Sequence, residues 1–206
     1  MSLRHRLSLA AAALAFAAAG ASAQPFQQLN PPQPTQSAGK VEVIEFFWYG
    51  CPHCYTLEPS VVSWAKKAPA DVAFKRVPAI PSDSWADHAR MFYTLEAMGK
   101  LEEYHQKVFD AIHKSNVNLA NKKIRDEWLQ KNGIDATKYA EMEKSFTVAT
   151  NVNRAKQMTY AYKVDSVPRV TVNGKYVVTM DGAGSIERVF QIVDQLVGQA
   201  RKDKTS

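Results

Sequence analysis

Cysteine is nearly absent from this chain. There are two in 206 residues, Cys51 and Cys54, and no second pair. That scarcity argues against a disulfide-stapled scaffold, because a chain of this length buries a proper core without cross-links. A structural disulfide between them would close only a four-residue loop, worth about 2 kcal/mol against about 4.7 for a 100-residue loop. It also argues against a structural metal site, since Cys51, Cys54 and His53 offer at most three of the roughly four ligands required. Blocks of Lys or Arg are missing as well. The basic residues are scattered among Glu and Asp as on solvated helix faces, so no nucleic-acid-binding arm is expected. There is no internal repeat, and only one long apolar run.

That run belongs to a leader. Arg4 and Arg6 precede an apolar stretch from about Leu7 to Ala19, and Ala21-Ser22-Ala23 forms a small-residue cleavage site before Gln24. This is the layout of a secretory signal peptide covering residues 1–23, cut after Ala23. The stretch is too short for a spanning helix, which needs roughly 20 residues. Its removal leaves residues 24–206 and lowers the formal charge from +6 by the two lost arginines. Export also places the chain where disulfides form and persist.

What remains reads as one α/β unit interrupted by helices. Residues 24–40 are rich in Gln and Pro and form an extended arm with a short edge strand near its end. VEVIEFFWY (41–49) is β-branched and aromatic without clean alternation, a strand buried on both faces. Pro52 suits the first position of a helix, predicted to run to about Lys67 with a kink at Pro59. DVAFKRVPAI (71–80) is the next strand, completing a βαβ unit over residues 41–81. From 82 to 162 the apolar spacing becomes helical, as at Leu101, Tyr104, Val108 and Ile112. There Gly133 ends one helix, and Ile134 and Tyr139 bracket an N-cap at Asp135. Residues 163–200 return to strands, with RVTVNGKYVVT reading as a hairpin around Asn173-Gly174. A last helix capped by Ser185 runs to about Gln199, and 201–206 form a tail.

The spacing of the two cysteines carries the chemistry. With Cys51 at the N-cap and Pro52 at the first helical position, the sulfur of Cys51 faces the free amides of His53 and Cys54 at the positive end of a helix dipole. A cationic His53 adds to that field. Thiols so placed ionise at roughly pH 3.5–7.5 instead of about 8.5. Cys54 lies one turn deeper on the same face and keeps a more ordinary thiol. Cys51 is therefore the attacking and leaving sulfur, and Cys54 the resolving one. A stabilised thiolate makes the Cys51–Cys54 disulfide easy to reduce, hence a strong oxidant of other thiols.

On these residues the chain resembles the DsbA family of thioredoxin-fold thiol oxidases. EFFWYGCPHCY resembles the family's active-site segment, and SVPRVTVNGKY its Val-Pro signature followed by a hairpin. The resemblance spans about 41–198, inserted helices included. It implies a thioredoxin-like fold (βαβ … ββα) with an inserted helical domain, and a periplasmic protein that donates its disulfide to newly exported proteins with free thiols. It implies a cis Val167-Pro168 bond, with the loop packed against Cys51 and its backbone available to an extended substrate. It implies a buried acid–base pair, Glu45 with Lys75, beneath the cysteines. A membrane quinone-linked, DsbB-like reoxidase is the implied partner, a monomer the expected form, and the redox-active disulfide the only prosthetic feature, with no other cofactor and no metal. Gly50 and Arg169 depart from the family pattern and bear on the peptide groove. His88, His105 and His113 match no motif and read as surface or capping residues. A disulfide isomerase or reductase is the nearest rival, although 24–40 is too short for the dimerisation domain of an isomerase. A non-catalytic peptide-binding or chaperone module is the rival from another class.

Overall fold

Seven consecutive apolar or acidic residues, Val41–Phe47, are all buried, because this strand lies inside a sheet covered on both faces. The computed structural model describes residues 24–203. The signal-peptide reading, with its cleavage after Ala23, and the last three residues of the tail lie outside them.

Five strands form one mixed sheet: β1 (Gln27–Gln28), β2 (Val41–Phe47), β3 (Val72–Pro78), β4 (Arg169–Val172) and β5 (Tyr176–Thr179). Their order is β1-β5-β4-β2-β3. β2 and β3 are parallel and joined by helix α1 (Pro52–Lys67); every other pairing is antiparallel. Between β3 and β4 stand five helices: α2 (Ala86–Ala97), α3 (Leu101–His113), α4 (Lys122–Lys131), α5 (Ala136–Glu143) and α6 (Phe146–Ala161). After the β4–β5 hairpin come α7 (Met180–Ala183) and α8 (Ile186–Asp203). This is a thioredoxin-like α/β fold with a helical insertion.

Local chemistry accounts for the boundaries. α1 starts at Pro52 and stops at Lys67, and it continues through Pro59. Asp135 caps α5 by accepting the amides of Thr137 and Lys138, with Ile134 and Tyr139 both buried beside it. The hairpin turns on Asn173 and Gly174 at φ 53° and 65°. Gly174 is needed twice over, since a Cβ there would lie 2.0 Å from the carbonyl oxygen of Gln33 in the arm. Two expectations change. The edge strand sits at the start of the arm, where Gln27 and Gln28 pair with β5, and not at its end. The last helix passes Gln199 and takes in 201–203, because Lys175 and Tyr176 both hydrogen-bond Asp203, at 2.8 and 2.9 Å.

The sheet divides two cores. Val41 and Val43 face α1 and α8, packing with Leu57, Val61, Trp64, Val193 and Leu196. Ile44 and Phe46 belong to the other core, shared with Phe92, Val108, Phe109 and Val148 of the insertion, with the Phe46 ring 5.2 Å from Tyr162. Both cysteines fall in the second core, at the end of the sheet where insertion and α1 meet.

Candidate functional site

Cys51 occupies the N-cap of α1 in extended conformation, and its Sγ accepts the amide of Cys54 at 3.4 Å. Both cysteines are free thiols, Cys51 only 8% exposed and Cys54 fully buried. The Cys51 thiol is held down at about 6 by a hydrogen bond from the Cys54 side chain, then by the amides of Cys54 and His53 and the charge of His53, all opposed by burial. Cys54 moves the other way. Burial, and then its hydrogen bond to Cys51 and that neighbour's charge, push its thiol far above the ordinary value. Two sulfurs three residues apart are thus separated in acidity by one turn of helix. Pro52 and His53 are exposed at the mouth of the site.

The opposite wall is the loop before β4. The Val167–Pro168 peptide is cis. The Val167 carbonyl accepts the Cys51 thiol at 3.4 Å, a bond available only while the sulfur is protonated. Beside it, His53, Val167, Pro168, Thr179, Met180 and Ser185 border a cavity of about 560 Å³. Arg169, which follows Pro168, points away from that cavity. It is buried and binds the Lys163 carbonyl at 2.6 Å and the Asp165 carboxylate, so it braces the loop from within. Gly50 has an equally local reason. A Cβ there would lie 2.4 Å from the indole of Trp48, which folds over it and stacks on Trp85 at 4.2 Å.

Beneath the cysteines the structure corrects one pairing. Lys75 does not meet Glu45; its Nζ lies 2.8 Å from Glu42. The register explains it: Glu45 sits opposite Arg76, and Lys75 opposite Ile44, so Lys75 points to the other face of the sheet. The partner of Glu45 is Arg76, Nε to Oε2 at 3.4 Å, and Arg76 also reaches Glu58 of α1 at 2.8 Å. Glu45 is 1% exposed, and neither of its oxygens has a hydrogen-bond partner. Burial first, then the charge of Glu58, push its carboxyl up to about 8 against the pull of Arg76. Glu45 also acts electrostatically on Cys54.

The histidines change as well. His88 and His105 are buried, not on the surface. His113 is half-buried, with Nε2 2.8 Å from the Tyr49 carbonyl and its ring stacked on Tyr55. His105 contacts the Tyr49 hydroxyl at 2.7 Å and faces Glu58 at 3.5 Å. The spacing carried a signal for these overlooked residues. Glu58 stands four after Cys54 on one helical face, and His105 falls between the apolar positions Tyr104 and Val108. Among the described residues no group of three or more His, Cys, Asp and Glu is arranged to hold a metal ion.

An acidic sulfur beside a reluctant one, at the end of a thioredoxin-like sheet, is built for thiol–disulfide exchange, and the molecule is a thiol:disulfide oxidoreductase. Comparison with known proteins narrows the class. The model of the DSBA-like thioredoxin domain matches residues 64–194, from within α1 to within α8, and so takes in the helical insertion and the Val167–Pro168 loop. The thiol:disulfide interchange protein DsbA of Pseudomonas aeruginosa is 41% identical over 176 residues, covering 85% of this chain and 83% of that protein. That of Azotobacter vinelandii is 44% identical over 168 residues, covering 82% and 78%. The crystal structure of Pseudomonas aeruginosa DsbA superposes with a TM-score of 0.84 at 39% identity, covering 89% of this chain and 95% of that one. The chain belongs to the DsbA family.

Proposed function

We propose that this protein is a dithiol oxidant: it passes the Cys51–Cys54 disulfide to pairs of thiols on newly exported proteins and is left reduced. A substrate thiolate attacks the Cys51 sulfur, the internal S–S bond breaks, and Cys54 departs and takes up a proton. A second substrate thiolate then attacks the substrate sulfur of the mixed disulfide, and Cys51 leaves as a thiolate. The substrate loses two electrons and the enzyme gains them. One observation carries the direction: Cys51, at about 6, is held as an anion by the α1 amides and by Cys54. A stable leaving thiolate favours the reduced enzyme, which is what a strong oxidant requires.

The other residues fall into place around this step. Pro52 opens α1 without an amide to satisfy, and His53 adds positive charge beside Cys51. Val167 and Pro168 present backbone next to Cys51, where an extended substrate segment can lie. Glu45, buried and protonated at neutral pH, serves the proton demand of Cys54, with Arg76 as its partner. The protein works in the periplasm as a monomer after removal of residues 1–23, with no cofactor beyond its disulfide, and a membrane quinone-linked, DsbB-like partner restores that disulfide.

The deciding experiment is equilibration of the Cys51–Cys54 pair with a series of glutathione redox buffers. A potential near −120 mV, the known figure for DsbA, supports the oxidant reading. A value near thioredoxin's −270 mV or so would replace it with a reductase.

A further inference from the structure

The mechanism leaves a buried histidine unused. His105, carried by α3 of the insertion, is walled in by Phe47, Phe92 and Phe109, with ring centroids 5.2 to 5.9 Å away. Its Nδ1 is 2.7 Å from the Tyr49 hydroxyl. Its Nε2 has no closer partner than Glu58 Oε1 at 3.5 Å, the same oxygen that Arg76 reaches at 2.8 Å.

We infer that His105 is a neutral positioning residue, accepting the Tyr49 hydroxyl at Nδ1 and directing its Nε2–H at Glu58, so that Glu58 keeps the charge that balances Arg76 and the proton of the carboxylate pair resides on Glu45, beneath Cys54.

Elimination supports the orientation. With the proton on Nδ1, the Tyr49 oxygen would have to accept, its own hydrogen would be left unpaired, and a bare Nε2 lone pair would face a carboxylate. A doubly protonated ring would give two cations against two carboxylates. It would then make a charge-assisted bond of roughly 2.7–2.9 Å to Glu58, and the observed 3.5 Å is too long. Burial also disfavours the charged ring. The count of charges completes it. Glu45 and Glu58 share one full cation, Arg76, and three of their four oxygens lack a hydrogen-bond partner, so one carboxyl must carry a proton. The carboxyl with neither oxygen bonded is Glu45. The further groups acting electrostatically on this cluster are Glu102 on α3, Tyr139 on α5 and Cys54 on α1. The helical insertion thereby reaches into the redox centre through one side chain.

This inference deepens the oxidant reading and rests on it for its meaning, but its test is separate. Nitrogen NMR of the imidazole in the reduced full chain reads the tautomer directly, without any variant. Nε2 protonated and Nδ1 bare, unchanged from pH 6 to 8, is the expected result; an Nδ1–H ring or an imidazolium at pH 7 overturns it. Carbon NMR of the Glu carboxyls then follows His105→Phe. Without the Nε2–H, Glu58 competes for the proton, Glu45 ionises more readily, and its midpoint falls by about one pH unit. His105→Gln, whose amide can still donate to Glu58 and accept from Tyr49, returns it. Formation of the mixed disulfide from oxidised enzyme, the step in which Cys54 departs and takes up a proton, slows about tenfold in His105→Phe, less than the hundredfold or more that a directly acting acid or base supplies. A Glu45 midpoint that stays in place in His105→Phe sinks the proposal. The glutathione equilibrium of the unsubstituted chain reports independently on the oxidant reading.

Discussion

β2 carries two buried acids three residues apart, and they lead opposite lives. Glu42 faces the insertion side of the sheet, 2% exposed, and one of its oxygens accepts Lys75 at 2.8 Å, Ser37 at 2.9 Å and the Gln36 amide at 3.2 Å. Glu45 faces α1, 1% exposed, with no hydrogen bond to either oxygen and one shared arginine. The first, through its contacts with Gln36, Ser37 and Lys75, ties the arm to the sheet. The second is short of partners, and burial first, then the charge of Glu58, raise its proton affinity against the pull of Arg76. Burial alone does not decide what an acid does; the supply of donors does.

Substitutions can break this contrast or sharpen it. The largest effect is expected at Arg76, which among the described residues is the one full cation against the two buried carboxylates Glu45 and Glu58. Arg76→Met should cost about 3–5 kcal/mol in urea unfolding at pH 7, the usual penalty for leaving a buried charge unpaired. A loss below about 1 kcal/mol would mean that neither carboxylate is charged. Glu42→Ala should cost about 1 kcal/mol by removing the bonds that tie Gln36, Ser37 and Lys75 to the sheet, and should leave the rate of disulfide transfer to a dithiol peptide unchanged. Glu45→Gln should behave differently. It replaces a carboxyl already neutral near pH 6, so unfolding there should shift by less than about 1 kcal/mol.

The pH dependence of stability separates the two acids further. The folded chain holds the Glu45 proton up to about 8, whereas an ordinary carboxyl releases it near 4.5. Stability from this group is therefore complete below about pH 4.5 and declines as pH rises through 8, by up to about 1.4 kcal/mol per unit inside that window. Glu45→Gln should flatten this slope, and a slope that persists would place the proton elsewhere. The smallest effect is expected at Lys75, whose side chain is 38% exposed. Lys75→Met should cost less than about 1 kcal/mol, with no change in transfer rate. A large loss of activity there would restore Lys75 to the redox centre.

The contrast also marks how far the chain could be read before it was folded. Helix α1 was legible to the residue, because Pro52 and the two cysteines sit in a pattern that local capping energetics explain. The hairpin was legible because Asn173-Gly174 is one of the few pairs that accept positive φ twice in succession. Glu45 was legible through the family resemblance, as half of a buried acid–base pair. Its partner was not, because Lys75 and Arg76 are neighbours in sequence but point to opposite faces. Only the β2–β3 register decides which of them meets Glu45. His105 was misplaced for a related reason. A lone histidine on an amphipathic helix looks solvated until the packing of α3 against α1 turns it inward.

Short-range chemistry was therefore written into the order of residues: where the reactive helix begins, which sulfur faces its free amides, where the chain turns back. These depend on contacts within a few positions, and capping and turn preferences settle them before any packing occurs. Which cation meets which acid, and which side chain of the insertion meets Tyr49 and Glu58, were decided only when distant segments came together, because strand register and helix packing are long-range properties that no stretch of a few residues contains.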